Sequence, residues 1–317
     1  MQRILVLLEI NEEQQAAFRE AAGDNEIVFI TGSTSHSISG VSGEELRGFD
    51  VIIGQPRPSA LQQADNLKWL QASISGVDIY LKKGVLKEGV MLTSATGAYG
   101  VTVAEHVFGM MLGIMKRFPA YRDNQKQSLW HDEGSVKSVE NANILIFGTG
   151  DLGSTFAKYC KALGAHTIGV RRDPSRSAEG IDEMHGMDEL DSLIRTADVV
   201  CTLIPHSEEM TGYFNYDRFM SMKKDAIFLN AGRGTVVDSM GLYRALEEGH
   251  LFGAGLDTTA PEPFPADHPL WTQPRVFITP HTAGGDHMAS TVGKVAAIAL
   301  ENLKHCLAGE PLRNRKL

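Results

Sequence analysis

Residues 143–174 read NILIFGTGDLGSTFAKYCKALGAHTIGVRRDP. The apolar run Ile144-Leu145-Ile146-Phe147 has the length of one buried strand. Gly148, Gly150 and Gly153 follow in the spacing G-x-G-x-x-G, ahead of a helix-like segment to Leu163 and a second apolar run, Thr167–Val170. Strand, glycine turn, helix and strand is the frame in which this spacing signals a dinucleotide site. The first glycine makes the tight turn, the second lets the backbone approach a pyrophosphate, and the third lets the helix pack on the strand. Free N–H groups at the helix start then face the phosphates. Outside that frame the hexapeptide says little, because glycine-rich turns are common.

Working outward, 317 residues suit two domains better than one. Hydrophobic residues at 43% and charged residues at 22% describe an ordinary globular protein. A net charge of −9 argues against nonspecific nucleic-acid binding, which needs an extended basic surface. Cys160, Cys201 and Cys306 are scattered without a C-x-x-C pair, which points to a reducing compartment, the cytoplasm, and away from structural zinc or any other metal. The first two, in apolar runs, are expected to be buried and inert. The opening residues MQRILVLL superficially suggest a signal peptide, but the run is short, ends at Glu9 and lacks a small-residue cleavage site. A first strand is expected there. No run approaches the ~18 apolar residues of a membrane span.

Upstream of the glycine turn, strand-like and helix-like segments alternate. They are Arg3–Leu8, a helix around Glu12–Ala22, Ile27–Thr31, a short helix near Gly43–Arg47, Val51–Gly54, Leu67–Ser73 and Val90–Thr93. This is the pattern of a small α/β unit with a parallel sheet. Ser73-Ile74-Ser75-Gly76-Val77-Asp78 is a small polar turn at a strand end, the edge where open α/β sheets bind ligands. A plain connection reads equally well. Val101–Phe118 is apolar nearly all round, hence a buried helix or an oligomer interface, with Pro119 to end it and methionines as core filler. The polar stretch 121–140, with Trp130-His131, is an excursion before the next domain. Downstream, Val199–Leu203, Ala226–Asn230, Gly253–Asp257 and Val276–Thr279 continue the strands, with Arg218–Lys223 and the helix Met240–Gly249 between them. The amphipathic helix Ala289–Leu307 closes the chain, and a basic tail (Arg313, Arg315, Lys316) is expected to be solvated.

Three strands end in residues that no turn requires. Residues 230–238, NAGRGTVVD, set Arg233 in a glycine-flanked turn. Asp257 ends the next strand, with Glu262 between Pro261 and Pro263 just beyond, and His281 follows the last. Parallel strands bring their C-terminal ends to one edge, so these groups share it. An arginine grips a carboxylate through two parallel hydrogen bonds. A histidine exchanges a proton near neutral pH, and a carboxylate on its other nitrogen fixes its tautomer and favours the charged ring. Singly, each has a plainer reading as a surface arginine, a solvated glutamate and a capping histidine. Together, in order and behind a dinucleotide fingerprint, they make a catalytic set.

GTGDLG, NAGRGTVVD, GLDTTAPEP and TPHTAGG jointly resemble the D-isomer-specific 2-hydroxyacid dehydrogenase family, which includes glyoxylate/hydroxypyruvate reductases and phosphoglycerate dehydrogenases. The resemblance is strong across residues 101–285 and weaker upstream, where only the SGVD turn is family-like. It implies an α/β fold of two Rossmann- or flavodoxin-like parallel-sheet domains. The dinucleotide-binding domain (100–285) would be inserted into a discontinuous substrate domain (1–99 plus 286–317), to which the last helix returns. For cofactor binding it implies Gly148, Gly150, Asp151, Leu152, Gly153, Ala231, Gly232 and Asp257, the last beside the nicotinamide carboxamide. Arg233 would bind the substrate carboxylate and carbonyl, His281 would be the acid/base and Glu262 its partner. The N–H groups of Ser75, Gly76 and Val77 would hold the substrate carboxylate from the other side. The implied reaction is NAD(P)H-dependent reduction of a 2-keto acid to a D-2-hydroxy acid. The implied assembly is a homodimer through the nucleotide domains, which would explain the apolar helix at 101–118.

One position departs from the NAD pattern. The acidic residue expected at the second strand's end is replaced by Arg171 and Arg172, with Asp173 two residues late. Two arginines suit a 2′-phosphate, so NADP(H) is favoured over NAD(H), with Ser175 and Arg176 able to assist. The alternative leaves both arginines on the surface and gives Asp173 the acidic role. Arg57 at a strand end would favour an acidic substrate, but a phosphorylated one would want more than one arginine. A small acid such as glyoxylate or hydroxypyruvate is therefore expected ahead of phosphoglycerate. A non-catalytic dinucleotide sensor of the same fold is the rival class, although it has no use for the Arg233–Glu262–His281 set.

Overall fold

Ile4, Leu5 and Val6 are fully buried in strand β1 (Arg3–Val6), which pairs in parallel with β2 (Glu26–Phe29) and β3 (Val51–Gly54). With β4 (Trp69–Ala72) and β5 (Met91–Thr93) the sheet runs β2-β1-β3-β4-β5. The computed structural model describes residues 1–30, 40–285 and 288–317, so Thr31, at the end of the expected second strand, lies outside the described residues. Helix α1 (Glu12–Ala22) starts on a capping box, Asn11 and Gln14 each accepting the other's backbone N–H. The helices α2 (Pro58–Leu61) and α3 (Asp78–Leu81) are single turns. The helix expected at Gly43–Arg47 is only a succession of turns, halted by Gly48 at a φ of 78°.

The second compact unit, 100–284, begins with α4 (Gly100–Met115). Pro119 does not merely end that helix. Arg117 takes a left-handed φ of 59°, and Pro119 then sits in the first turn of α5 (Phe118–Lys126), where a missing N–H costs nothing. The seven-stranded sheet follows from β6 (Asn143–Phe147), α6 (Asp151–Ala162), β7 (His166–Val170), β8 (Glu183–His185), α7 (Leu190–Leu193), β9 (Val199–Thr202), α8 (Tyr216–Ser221), β10 (Ile227–Asn230), α9 (Ser239–Glu247), β11 (Gly253–Leu256) and β12 (Val276–Ile278). Its order is β12-β11-β10-β9-β6-β7-β8, all parallel. Strand order therefore reverses between β6 and β9, the kind of crevice where open α/β sheets bind ligands. Val103, Val107, Met111 and Ile114 of α4 are buried, and the helix packs on α6, β10, β11 and β12. Its all-round apolarity is thus largely taken up inside this unit. Exposed apolar groups lie just beyond the helix, at Phe118, Leu129, Trp130 and Val136, with Leu163, Met240 and Trp271 exposed elsewhere in the unit. Cys160 and Cys201 are buried free thiols, and burial raises both thiol pKa values.

The chain then returns to the first unit (1–99 with 285–317), where α10 (Ala289–Ala308) packs on α1. Asn302 is wholly buried there. Its amide donates to Gln71 Oε1 at 2.7 Å and to the Arg313 carbonyl, while Thr93 Oγ1 also donates to Gln71 Oε1 and receives the Trp69 indole N–H. Each member of this network is satisfied, which makes burial of so many polar atoms tolerable. The basic tail is not simply a solvated end. Its backbone lies antiparallel to β5, with Lys316 N–H on the Leu92 carbonyl at 2.8 Å and Ser94 N–H on Asn314, because an edge strand's open groups otherwise lack partners. No described helix is long and apolar enough to cross a membrane.

Candidate active site

At the end of β6 the chain turns through Gly148 at a φ of 102°, where a Cβ would stand 2.9 Å from the Leu203 carbonyl beyond β9. At Gly153 a Cβ would meet the Gly148 carbonyl oxygen at 2.0 Å, so α6 seats on the turn only through glycine. Gly150 differs from both. Its φ of −79° suits any residue, and nothing lies within 4 Å of where its Cβ would be. Packing does not require this glycine; its missing side chain keeps space clear for a ligand that must reach the backbone. Helix α6 also lacks a side-chain cap, whereas Asn11, Asn215 and Asp238 cap α1, α8 and α9. Its first backbone bond is Ser154 N–H to the Gly150 carbonyl, leaving the N–H groups of Asp151, Leu152 and Gly153 without partners among the described residues. An uncapped 12-residue helix behind an open glycine fits a pyrophosphate. The Asp151 carboxylate itself lies against Gly100, so its N–H is what the residue offers. The N–H groups of Ala231 and Gly232 are already engaged by the Thr202 carbonyl and Asn230 Oδ1, so these two residues supply shape.

Asn230, buried at the end of β10, stitches two loops together. Its amide donates to the Arg233 carbonyl at 3.1 Å and to the Thr258 carbonyl at 3.4 Å. The loops press so closely that a Cβ on Gly234 would overlap the Thr259 carbonyl at 1.9 Å. Arg233 is thereby set beside the β11 loop, its guanidinium donating to the Gly232 carbonyl. In that loop Glu262 accepts the Thr259 N–H on Oε1, while Oε2 lies 3.0 Å from His281 Nδ1. The His281 and Glu262 side chains are 49% and 43% exposed. A carboxylate only accepts, so Nδ1 carries a proton, and Nε2, unengaged among the described residues, holds one when the ring is charged.

His281 sits at a φ of 52°, in the left-handed region that few residues other than glycine adopt. Asp257 over-determines that conformation. Its carbonyl accepts the His281 N–H at 2.7 Å, and its carboxylate accepts the N–H groups of Thr282 and Ala283 and the Thr279 hydroxyl at 2.7 Å. His106 Nε2, on α4, lies 2.9 Å from the same hydroxyl. Asp257 was expected beside a cofactor; what the structure shows is that it clasps the histidine loop. Asn230, Thr279 and His106 escape a reading of the sequence. The one available signal was His106, a polar ring in a helix otherwise apolar nearly all round.

At the end of β7, the Arg171 N–H bonds the His185 carbonyl of β8 and its guanidinium donates to the Arg176 carbonyl. Arg172 is exposed and has no side-chain partner among the described residues. Asp173 accepts the Ser175 hydroxyl at 2.6 Å and the Ser175 N–H, and the hydroxyl above all holds its carboxyl below the usual carboxylate range. In the first unit, Ser75, Gly76 and Val77 form the turn after β4 with N–H groups unpartnered among the described residues, and Ser75 Oγ lies 3.2 Å from Thr96 Oγ1. Arg57 is exposed at the start of α2.

Residues 108–283 match the family model described as D-isomer specific 2-hydroxyacid dehydrogenase, NAD binding domain. The chain belongs to this family. The family's two-domain parallel-sheet fold accounts for both sheets, and membership makes the protein an NAD(P)-dependent oxidoreductase. This 2-hydroxyacid dehydrogenase is 30% identical over 260 residues to the glyoxylate/hydroxypyruvate reductase B of Yersinia pestis, covering 80% of this chain and 78% of that one. It is 29% identical over 256 residues to a D-3-phosphoglycerate dehydrogenase of Archaeoglobus fulgidus, of whose length it spans 48%. A D-isomer specific 2-hydroxyacid dehydrogenase family protein of Aeromonas salmonicida superposes with a TM-score of 0.83 at 29% identity, covering 100% of this chain and 99% of that one. An NADPH-dependent glyoxylate/hydroxypyruvate reductase of Sinorhizobium meliloti, solved with NADP and sulfate, gives 0.79 at 25% identity, with 100% and 98% covered.

Proposed function

We propose that this protein reduces a small 2-keto acid of the glyoxylate or hydroxypyruvate kind to the D-2-hydroxy acid, with NADPH preferred to NADH. The observation that carries the reading is the His281 ring, held by Glu262 through Nδ1 at 3.0 Å with Nε2 unengaged among the described residues, beyond a strand whose neighbour leads to Asp257 and whose next-but-one leads to Arg233. When bound, the nicotinamide supplies the hydride that reaches C2 of the acid. His281, charged, gives its Nε2 proton to the oxygen that becomes the hydroxyl. Arg233 grips the carboxylate and polarises the C2 carbonyl. Asp257 Oδ2, which among the described residues takes only the Ala283 N–H it shares with Oδ1, has capacity left for a carboxamide N–H.

The cofactor preference is supported by Arg172, free to meet a 2′-phosphate, and by Asp173, whose carboxylate is engaged by Ser175. A single arginine, Arg57, favours an unphosphorylated acid. The exposed Phe118, Leu129, Trp130 and Val136 support a homodimer through the nucleotide-binding unit. The unpaired thiols are in keeping with the cytoplasm. The test follows cofactor absorbance with purified protein, a panel of 2-keto acids, and NADPH or NADH. Oxidation preferring NADPH is expected. Preference for NADH returns the ribose role to Asp173, and no oxidation despite cofactor binding replaces catalysis with dinucleotide sensing.

A further inference from the structure

We infer that His106 is a positioning residue for His281, acting through Thr279 and Asp257; this rests on His281 being the proton donor. The argument starts from protons. The Thr279 hydroxyl has one, and Asp257 Oδ1 at 2.7 Å takes it, since the reverse would set two lone-pair oxygens together with no proton between them. Toward His106 Nε2, 2.9 Å away, Thr279 Oγ1 therefore accepts, and His106 carries a proton on Nε2. That donor aims the Thr279 hydroxyl at Asp257, whose Oδ1 also takes the N–H groups of Thr282 and Ala283. His106 Nε2 is itself 3.6 Å from that oxygen, so a charged ring reinforces the same arrangement.

Helix α4 grips this loop twice. Thr102, one turn before His106 and on the same face, donates to the Ala283 carbonyl at 3.2 Å. The two contacts fall at residues 279 and 283, on either side of His281, whose left-handed φ needs support from both directions. The pair is a polar splint on a helix otherwise given over to packing.

The test compares His106→Leu, which has no donor, with His106→Gln, whose amide restores one. Loss of one part-buried hydrogen bond predicts a kcat about 2- to 12-fold lower in H106L, with cofactor and keto-acid KM changed by less than about twofold, and most of the loss recovered in H106Q. ¹⁵N signals of the His281 ring should show the Nδ1-protonated form in wild type and H106Q and a tautomer mixture in H106L. Wild-type kcat and ring signals in H106L overturn the inference. So does an equal loss in both variants, which would make His106 a space-filler. If H106L does not fold, Thr279→Val breaks the same relay and must reproduce the loss; full activity there overturns the inference too. If wild type reduces no keto acid, the proposed reaction fails, while the ring signals still decide what His106 does.

Discussion

Each edge strand of the seven-stranded sheet has, on it or just beyond it, a histidine 3.0 Å from a glutamate, yet only one pair fits proton transfer. On β12's side, His281 meets Glu262 through Nδ1 and keeps Nε2 open among the described residues. On β8, His185 is bonded at both nitrogens, Nδ1 to Glu189 and Nε2 to Glu183 at 3.3 Å, and Glu183 also holds His166. Burial, the strongest single influence on His185, lowers its pKa, but the two carboxylates together outweigh it and hold the ring above the ordinary histidine value. A carboxylate beside a histidine is thus no mark of catalysis. A second, unengaged nitrogen on a backbone held in place is the better one.

The largest expected effect breaks the two pairs apart. His281→Gln should lower kcat by roughly 10²–10⁴-fold, the usual contribution of a general acid, with cofactor affinity little changed. His185→Gln should leave kcat alone; a matching loss there would erase the distinction. Next, Glu262→Ala removes a charge-assisted hydrogen bond and should lower kcat roughly 10- to 150-fold, so an unaltered rate would show that the ring needs no partner.

The smallest effect concerns stability. A folded-state pKa raised at His185 stabilises the protein fully below the ordinary histidine range, and that contribution is lost as pH rises through the raised value. In thermal melts His185→Gln should therefore fall below wild type by about 1–3 °C near pH 5 and coincide with it near pH 9. A deficit independent of pH would point to packing.

Much of the sheet was legible because its strands are apolar on both faces: Ile144 to Phe147 or Val199 to Cys201 announce themselves. Strand β8, Glu183-Met184-His185, does not, because a polar edge strand has no apolar pattern to show. Pro119 misleads for a related reason, since the same ring that stops one helix is at home in the first turn of the next. In the site, Arg233, Glu262 and His281 were readable as residue types at strand ends. The reach of Asn230 to Thr258, and of His106 to Thr279, was not, because such convergence depends on hydrogen bonds between loops remote in sequence.

The return of the chain to its first sheet has a consequence for biosynthesis. Residues 100–284 are contiguous and complete their own sheet as they emerge, but Gln71 and the outer edge of β5 must wait for Asn302 and for residues 314–317. At ribosomal speeds that interval is roughly 10–40 s. During it Leu92 presents an unpaired N–H and carbonyl on an open strand edge, the feature that recruits other chains. A stalled or truncated product lacking the last helix should therefore aggregate through its N-terminal sheet, even where its nucleotide-binding half has folded.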